Sequence, residues 1–486
     1  MAQPDWQRLS PRMLLVHPVH EALRELPLLI AAVVFGSATD NQVWTLAVLA
    51  VIATVGVARW FTTSYRIEPD PDAGRLQLRS GVLRRNVLSV PRNRIRSVQT
   101  EARLLHRLLG LTVLRVSTGQ HTTGDQVFEL NAVDSGQVPG LRALLLTRGD
   151  QPPAEAAARE VVLARWRPAW LRYSPLSLSG LVMIGAAVGA LYQSGIWVAI
   201  QDSPVGRSGL DTVERFGLPL IAAAVVVAAV LLAVLRSLVT YGNLVLSRSS
   251  GAAGDVLALR YGLLRVREYR YDMRRLRGGT LRRPLLVRLL GGARLDAAMT
   301  GVTGLGESSL LLPPCPAATA ESVLTGLVGD PEPVSGPLHR HGPAASRRRW
   351  TRAMTLPAAA GAGLAAAGTA ASVPAWWWLT WVVLTLCCGL LAVDRVRGLG
   401  HRVDRRWLVA RTGSWERRRY CIATAGIVAW TVRQTWFQRR AGVATLVAAT
   451  AAGVKAYRVI DVPEAWAWSV AAQASPWVAD SRWARR

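Results

Sequence analysis

The chain has 486 residues, of which 51% are hydrophobic and 18% are charged. This composition is too apolar for an ordinary soluble protein of this length and too charged for membrane helices alone, so it predicts a chain with membrane and soluble parts. The net charge is +27, almost all of it from arginines scattered along the chain. Because no zinc-finger spacing or RNA-binding signature accompanies this charge, nucleic acid is excluded as the expected partner.

Long apolar segments predict six membrane-spanning helices in three hairpins, since a spanning helix needs about 20 apolar residues. The fifth segment is rich in Ala and Gly, so a buried soluble helix is the second interpretation of it. Ser372-Val373-Pro374 separates it from the sixth, which opens with Trp376-Trp377-Trp378, a residue type typical of membrane interfaces. The expected spans are 22–38, 43–60, 176–199, 216–237, 355–371 and 376–393.

The basic residues predict the orientation of these spans. The tips of the three predicted hairpins hold only two arginines, Arg207 and Arg215. Arginine resists translocation, so the arginine-rich side is the cytoplasm. Both termini and all soluble parts are therefore expected at the inner face of the cell membrane, where anionic lipid headgroups attract positive charge.

The segment after the first hairpin has the pattern of a small β-domain. Residues 75–79 alternate polar and apolar side chains, which is typical of a half-buried strand. Gly81 then permits a tight turn because it has no Cβ. Further strands are expected at 82–90, 111–117 and 126–130, and a closing helix near 138–146 with Ser135 as its N-cap.

Two marks in this segment occur three times along the chain with constant spacing. Each copy has an Arg-x-Gly and then an Arg-x-x-Gly, and the two final glycines are 29 residues apart. An apolar residue also lies 14 residues after the first glycine, at Ile95, Leu276 and Ile427. This constancy predicts one structural unit used three times. We expect the second arginine to brace a turn and the second glycine to allow close backbone approach. The marks are Gly81, Arg107 and Gly110; Gly262, Arg288 and Gly291; and Gly413, Arg439 and Gly442.

These patterns divide the chain into seven predicted regions. The three β-domains are expected at 62–150, 239–330 and 395–475. As in the first copy, a closing helix is expected at 317–328 in the second, and one that starts near Pro463 in the third. The membrane regions are expected at 1–61, 151–238 and 331–394, and a basic C-terminal tail at 476–486. Within them, the Pro- and Gly-rich segments 150–158 and 331–349 are expected to be flexible tethers. Gly361, Gly363 and Gly368 are expected to allow close helix packing.

Short motifs in the first copy resemble a known family. They are Tyr65-Arg66-Ile67, Arg79-Ser80-Gly81-Val82-Leu83, Val90-Pro91-Arg92-Asn93-Arg94-Ile95 and Leu105-His106-Arg107-Leu108-Leu109-Gly110. With these motifs the copy resembles the bacterial PH domain type 2, and three such units with paired spans are similar to the YdbT-like membrane proteins of bacteria. The third copy departs from the pattern, because Arg439-Arg440-Ala441-Gly442 replaces the Leu-Leu form and a counterpart of Pro91 is missing.

The resemblance implies a mixed membrane protein. It would have six transmembrane α-helices in three hairpins and three PH-like β-barrel domains, each closed by a C-terminal helix. It implies no catalytic residues and no cofactor.

Arginines near the turns of the three copies form the candidate binding surface, which we call the arginine surface. Guanidinium groups match phosphate oxygens, so lipid headgroups or a protein partner are the expected ligands. The alternative is that these charges only fix the topology. The members are Arg84, Arg85, Arg92, Arg94 and Arg96; Arg265, Arg267, Arg270, Arg274, Arg275 and Arg277; and Arg417, Arg418 and Arg419.

No catalytic, cofactor or metal site is expected. The chain lacks Gly-x-Ser-x-Gly, His-Glu-x-x-His and the phosphate-binding Gly-x-x-x-x-Gly-Lys. His17 with His20, and His339 with His341, have no Asp, Glu or Cys at ligand spacing, so we expect solvated or interfacial histidines. The four cysteines form neither a disulfide framework nor a metal set.

Two functional hypotheses follow. The first is a non-enzymatic scaffold or envelope-stress factor that captures an unidentified protein partner on exposed strand edges, alone or as a homo-oligomer. The second is an accessory component of a transport or export system, in which the spans form the working part. The predicted spans carry no ionisable residue near their centres, which disfavours an ion-coupled transporter.

Overall fold

Antiparallel sheets and short helices form two units of this chain. The contacts group Met1–Trp166 with Leu238–Arg274, and Arg167–Ser237 with Arg275–Arg486. The computed structural model describes residues 6–8, 10–12, 54, 62–67, 74–80, 86–91, 97–117, 128–141, 159–176, 227–228, 230–251, 254–300, 310–370 and 372–480.

The described strands of the first unit form two sheets in which every neighbouring pair is antiparallel. The smaller sheet has the order β1-β2-β3-β4 and the larger β7-β6-β5-β11-β10-β9-β8. The strands are β1 Gln7–Arg8, β2 Ser64–Ile67, β3 Arg75–Ser80, β4 Asn86–Pro91, β5 Ser97–Arg103, β6 Leu111–Ser117, β7 Phe128–Asp134, β8 Arg159–Arg165, β9 Val245–Gly251, β10 Gly254–Tyr261 and β11 Arg265–Asp272.

The first PH-like copy is a sandwich of these two sheets. Leu76 and Leu78 are buried and alternate with more exposed polar residues, which confirms the predicted period of β3. They share one core with Leu111 of β6 and Leu130 of β7. A helical turn at 138–141 covers the core, while residues 142–146 of the predicted helix lie outside the described residues. Ser135 does not cap that helix, because its hydroxyl donates to the carbonyl of Gly110 at 2.8 Å.

The described strands of the second unit also form two antiparallel sheets. Their orders are β14-β13-β12-β17-β16-β15 and β18-β19-β20. The strands are β12 Leu276–Pro284, β13 Gly292–Met299, β14 Leu310–Pro316, β15 Gly400–Val403, β16 Trp407–Thr412, β17 Glu416–Ala423, β18 Ile427–Arg433, β19 Val443–Thr450 and β20 Ala456–Pro463. The third copy is a sandwich like the first, because Leu408 of β16 shares a core with Leu446 of β19 and Val459 of β20.

Helices close the copies and form the third hairpin. The described helices are α1 Leu104–Leu108, α2 Val230–Tyr241, α3 Leu285–Leu289, α4 Ala317–Val328, α5 Glu332–Ser335, α6 Gly342–Ala370, α7 Ala375–Arg397, α8 Trp436–Arg440, α9 Glu464–Ala474 and α10 Pro476–Ala479. The predicted closing helices of the second and third copies are confirmed as α4 and α9. Val478 of α10 joins the core of the third copy, so the predicted basic tail begins as packed structure.

The predicted closed β-barrels are wrong for the described strands. In the second and third copies, one strand pairs with a strand of the preceding copy. β11 of the second copy pairs with β5 of the first, and β17 of the third pairs with β12 of the second. The backbone N–H and C=O groups that a barrel would use for closure are therefore already bonded across the boundary between copies. The result is open sheets that continue from one copy into the next.

Each copy also contains a segment that precedes its predicted hairpin. β1 pairs with β2, and β8 pairs with β9. In the third copy, a single bridge joins His339 to His401. The residues before and after each predicted hairpin region are therefore neighbours in one sheet.

Within the described residues, α7 alone is both long and apolar enough to span a membrane. Only 6% of its apolar window is buried, unlike the core helix of a soluble protein. α6 is also long, but its Ala- and Gly-rich sequence is less apolar. The expected spans 22–38, 43–60 and 176–199, and the first part of 216–237, lie largely outside the described residues.

α6 and α7 pack closely against each other, as the glycines predict. A Cβ on Gly361 would lie 2.9 Å from the indole nitrogen of Trp381. That indole donates to the carbonyl of Pro357 at 2.8 Å. Gly363 has open space around it, so the packing role belongs to Gly361.

The predicted flexible tether at 331–349 is wrong. Pro333 and Val334 of α5 are buried. The carbonyl of Pro333 accepts from Arg419 at 2.9 Å, and the carbonyl of Gly336 accepts from the same guanidinium at 2.8 Å. A buried arginine therefore fixes this segment against β17. The second predicted tether, 150–158, lies outside the described residues.

Candidate membrane-facing surface

A collar of arginines holds the C-terminal end of α7. Asp394 forms ion pairs with Arg288 at 3.0 Å and with Arg417 at 2.5 Å. Arg411 donates to the carbonyl of Arg397 at 2.9 Å. Cations are favourable at this end of a helix because its last carbonyls carry partial negative charge. Burial, and then the neighbouring arginines, lower the pKa of Arg411 to about 10, so the side chain stays charged at neutral pH.

The first unit has an equivalent arrangement at the end of α2. The backbone N–H of Leu263 donates to the carbonyl of Val239 at 3.1 Å. The guanidinium of Arg107 donates to the carbonyl of Leu263 at 3.1 Å. Leu263 thus joins the end of α2 to the short helix α1 of the preceding copy.

The two repeated marks therefore meet each other. The Arg-x-x-Gly of one copy contacts the region after the Arg-x-Gly of the next copy, or the helix end beside it. In the second unit, the N–H of Leu285 in α3 also donates to the carbonyl of Trp415 at 2.7 Å. We call these sites the helix-end junctions, defined by Arg107, Leu263 and Val239 in the first unit and by Arg288, Asp394 and Arg417 in the second.

The glycines of the two marks have different roles. Gly413 has φ +91° and a Cβ there would lie 2.1 Å from the carbonyl of Glu416, so the predicted tight turn is confirmed. Gly262 is equivalent, and Gly81 lies outside the described residues. The predicted close backbone approach at the second glycine is wrong, since Gly291 has open space around it. Its φ of +72° shows that it ends α3 in the left-handed conformation.

Large apolar side chains are exposed around the helix-end junctions. Leu108 of α1 is 79% exposed and Leu289 of α3 is 72% exposed, at equivalent positions of two copies. In the third copy, Phe437 of α8 is 69% exposed. Short helices with exposed leucines and aromatic residues beside arginines have the composition of a membrane interface. The other exposed members are Leu105, Leu263, Leu264, Leu286, Leu290, Trp415 and Trp436.

The described members of the arginine surface are mostly engaged by carboxylates or buried. Arg265 pairs with Glu101, and Arg418 pairs with Glu416. Arg419 is only 9% exposed, so its expected place on an accessible surface is wrong. Its burial lowers the pKa of the guanidinium. Arg417 belongs to the collar around α7.

The remaining arginines of this surface differ in how far they are exposed. Arg267, Arg275 and Arg277 are half-buried, and Arg270 pairs with Glu268 at 3.0 Å. Arg274 is exposed beyond the end of β11. The members from the first copy, Arg84, Arg85, Arg92, Arg94 and Arg96, lie outside the described residues. Headgroup contact by the arginine surface stays a prediction.

The expectation of solvated histidines is wrong for His341. It is 3% exposed, and its Nε2 lies 2.8 Å from Nδ1 of His401, which is also buried. Burial lowers the pKa of His401 to about 4, and the nearby His341 adds to this shift. Beside them the fully buried Asp461 pairs with Arg348 at 2.7 Å and Arg349 at 2.9 Å. This cluster fixes the start of α6 to β20. His17 and His20 lie outside the described residues.

Sequence reasoning missed the carboxylates of these sites. Glu101, Asp394 and Asp461 are isolated in the sequence, and their partners lie far away along the chain. The sequence did carry a signal for the exposed leucines at the helix-end junctions. They belong to the Arg-x-x-Gly mark, a motif that is too short to bury its own apolar side chains. Leu108 and Leu289 hold the same place after their arginines.

Comparison with known proteins agrees with this architecture. The family described as bacterial PH domain matches residues 23–148 and 355–473, about half of the chain. The matched ranges include the predicted hairpins of the first and third copies, although the third departs most from the sequence pattern. No curated protein and no solved structure matches the chain. With two PH-like sandwiches and two matches in corresponding places, the chain belongs to the bacterial PH domain family.

Proposed function

We propose that the protein is a non-enzymatic, multi-pass membrane scaffold that presents three PH-like domains at the inner face of the cell membrane. In this proposal all six expected helices span the bilayer, as in the YdbT-like membrane proteins that the chain resembles. The domains hold the ends of the membrane helices and leave strand edges and apolar tips available for a partner.

One observation carries the proposal. Arg288 of the second copy and Arg417 of the third copy both pair with Asp394 at the same end of α7. If α7 spans the bilayer, these two copies lie on one side of it. The opposite end of α7 carries Trp376, Trp377 and Trp378, all exposed, as expected for the other interface.

The exposed apolar tips support close contact with lipid. Leu289 and Trp415 lie on the α3 helix and the turn that meet beside the collar. Each apolar side chain that leaves water contributes roughly 1.5–3 kcal/mol. The neighbouring arginines add attraction to anionic headgroups. The junctions would therefore rest on the bilayer surface, and strand edges away from them would face the cytoplasm.

Cysteine labelling tests the arrangement. The variants Gln137→Cys, Arg274→Cys and Arg405→Cys place one exposed thiol on each copy. The background carries Cys387→Ala and Cys388→Ala, while Cys315 and Cys421 are buried and stay unchanged. We expect a membrane-impermeant maleimide to label all three thiols in inside-out vesicles and none in right-side-out vesicles.

Labelling of any one copy from the outside would contradict the proposal. A second readout separates a scaffold from a transport accessory, because solute flux through liposomes containing only the purified protein would favour transport. Labelling and flux are measured on the same preparation, so that the two results describe the same folded sample.

A further inference from the structure

Two strand junctions join consecutive copies in one shared register. In β5–β11, Gln99 lies opposite Tyr269. In β12–β17, Thr280 lies opposite Tyr420. In both, a residue 18 positions after the Arg-x-Gly glycine of one copy pairs with a residue 7 positions after that of the next. The repeat therefore fixes the register as well as the fold.

The same rule identifies two strands that are the halves of a third junction. Thr431 of β18 lies 18 positions after Gly413, and Leu88 of β4 lies 7 positions after Gly81. Among the described strands, β18 ends the sheet β18-β19-β20 and β4 ends the sheet β1-β2-β3-β4. Within one chain these two strands thus belong to separate sheets.

The side chains of these strands have the exposure of an uncovered edge. In β12, the positions from Gly278 to Leu281 are buried beneath their partner strand. In β18, Val428 is 67% exposed, and Ala429 and Thr431 are also exposed. In β4, Val87 is 56% exposed. Apolar β-branched residues on an open edge favour pairing with another strand.

We propose that β18 of one chain pairs antiparallel with β4 of a second copy of the same chain. The register places Thr431 opposite Leu88 and Val432 opposite Val87. A second copy is the occupant because it supplies the missing half that the repeat specifies. The two edges differ, so the contact is head-to-tail and generates a ring or a linear array.

Charge sets the strength of this contact. At the first junction Glu101 pairs with Arg265, and at the second Arg282 lies 3.4 Å from Glu416. The equivalent positions at the third junction are Arg433 and Arg84, two like charges. Like charges across neighbouring strands oppose pairing, so the assembly is reversible. Arg433→Glu restores the opposite charges of the other junctions and strengthens it.

Disulfide trapping in vesicles tests the pairing and its register. Chains with Val432→Cys and one tag are mixed with Val87→Cys chains of another tag, in the Cys387→Ala, Cys388→Ala background. Thr431→Cys with Leu88→Cys forms a second pair, because directly opposite positions alternate between wide and close geometry. We expect two-tag dimers from at least one pair, and fewer from Val428→Cys, which is out of register.

The charge variant gives a second, independent readout. Arg433→Glu should tighten association on the order of tenfold, measured by energy transfer between labelled copies at increasing dilution in lipid. Arg458→Glu is the matched control, since it lies on β20 at the opposite end of the sheet from β18, and should change nothing. Leu88 and Val432 pack partly against the cores of their copies, while the other substituted side chains are exposed. Thermal unfolding therefore selects the variants that keep the fold of the wild type.

Three results would overturn the proposal. The first is an absence of two-tag dimers while a chain that carries both Val432→Cys and Val87→Cys forms the disulfide within itself, which would show closure inside one chain. The second is stronger trapping by the out-of-register cysteine. The third is an Arg433→Glu variant that associates no better than wild type. None of these outcomes depends on lipid contact at the helix-end junctions, so they are separate from the proposed function.

Discussion

The two strand junctions between consecutive copies share one backbone register but reverse their charges. At the first, the acid Glu101 lies on the preceding copy and Arg265 on the following one. At the second, Arg282 lies on the preceding copy and Glu416 on the following one. The repeat therefore determines the hydrogen-bond ladder, while the side chains distinguish one junction from the other. Direct pairing of the first copy with the third in this register would bring Glu101 beside Glu416, two like charges, which favours the second copy between them.

The junctions also differ in burial. Asp296, which supports the second junction, pairs with Arg282 at 2.6 Å, and both side chains are largely shielded. Glu101 is shielded too, but its partners Arg265 and Arg115 keep 40% and 34% of their side-chain exposure. Loss of Asp296 therefore leaves a largely buried arginine with a single carboxylate partner, Glu416 at 3.4 Å, whereas loss of Glu101 leaves arginines that water still reaches.

The largest expected effect is that of Asp296→Ala. It leaves the largely buried Arg282 with only its longer contact to Glu416, at 3.4 Å, so we expect a loss of about 3 kcal/mol in unfolding free energy. Chemical denaturation of the purified protein in detergent measures it. Arg294→Ala is the control, since Arg294 also pairs with Asp296 at 3.1 Å but is 31% exposed. Equal stability of Asp296→Ala and wild type would show that this ion pair does not hold the junction.

The buried histidines distinguish the third copy from the first two, in which a strand precedes the predicted hairpin. The pKa of His401 is about 4 in the folded chain, against about 6.5 when unfolded. The unfolded chain therefore binds more protons in this range, and stability falls as pH drops from about 6.5 to about 4. We expect a loss of about 2 kcal/mol across this window.

Thermal unfolding across this pH range measures the effect, with His401→Gln compared with wild type. The variant should have a flatter profile, while His339→Gln, at an exposed position, should follow wild type. Parallel profiles for His401→Gln and wild type would remove His401 as the cause.

The smallest expected effect concerns the first junction. Glu101→Ala should cost about 1 kcal/mol, because Arg265 and Arg115 can regain water. Exchanging the charges with Glu101→Arg and Arg265→Glu imitates the second junction and should recover part of the loss. Arg115 would still lie beside the new arginine, so recovery is incomplete. A charge exchange less stable than Glu101→Ala would show that the polarity of this junction is fixed by other contacts.

The sequence predicts the repeat and most strand positions, because both depend on local patterns. β6 and α4 have their predicted bounds, and the Ser372-Val373-Pro374 break lies between α6 and α7. The pairing of strands from consecutive copies was not predictable, because the sequence of an edge strand does not specify which other edge strand it pairs with. The resemblance to the PH domain instead predicted that each copy closes its own β-barrel.

The candidate site was predictable only in part. The constant spacing of the Arg-x-Gly and Arg-x-x-Gly marks was visible in the sequence. Their contact in space was not, because it depends on Asp394 at the end of α7 and on turns far away along the chain. The arginine surface was overestimated, since one sequence cannot show which arginines meet a buried acid. Arg417 and Arg419 lie two positions apart on one face of β17, yet Arg419 is buried under α5 and Arg417 caps the end of α7.

Membrane depth at the helix-end junctions is the most direct test of the account. Leu264→Cys and Arg274→Cys lie at opposite ends of β11, whose eight residues span roughly 26 Å. Each carries a nitroxide in lipid vesicles, and its collisions with oxygen and with a water-soluble nickel complex are compared. We predict that the label at 264 meets oxygen more than nickel and the label at 274 the reverse. Equal access of both labels to nickel would contradict a junction that rests on the membrane.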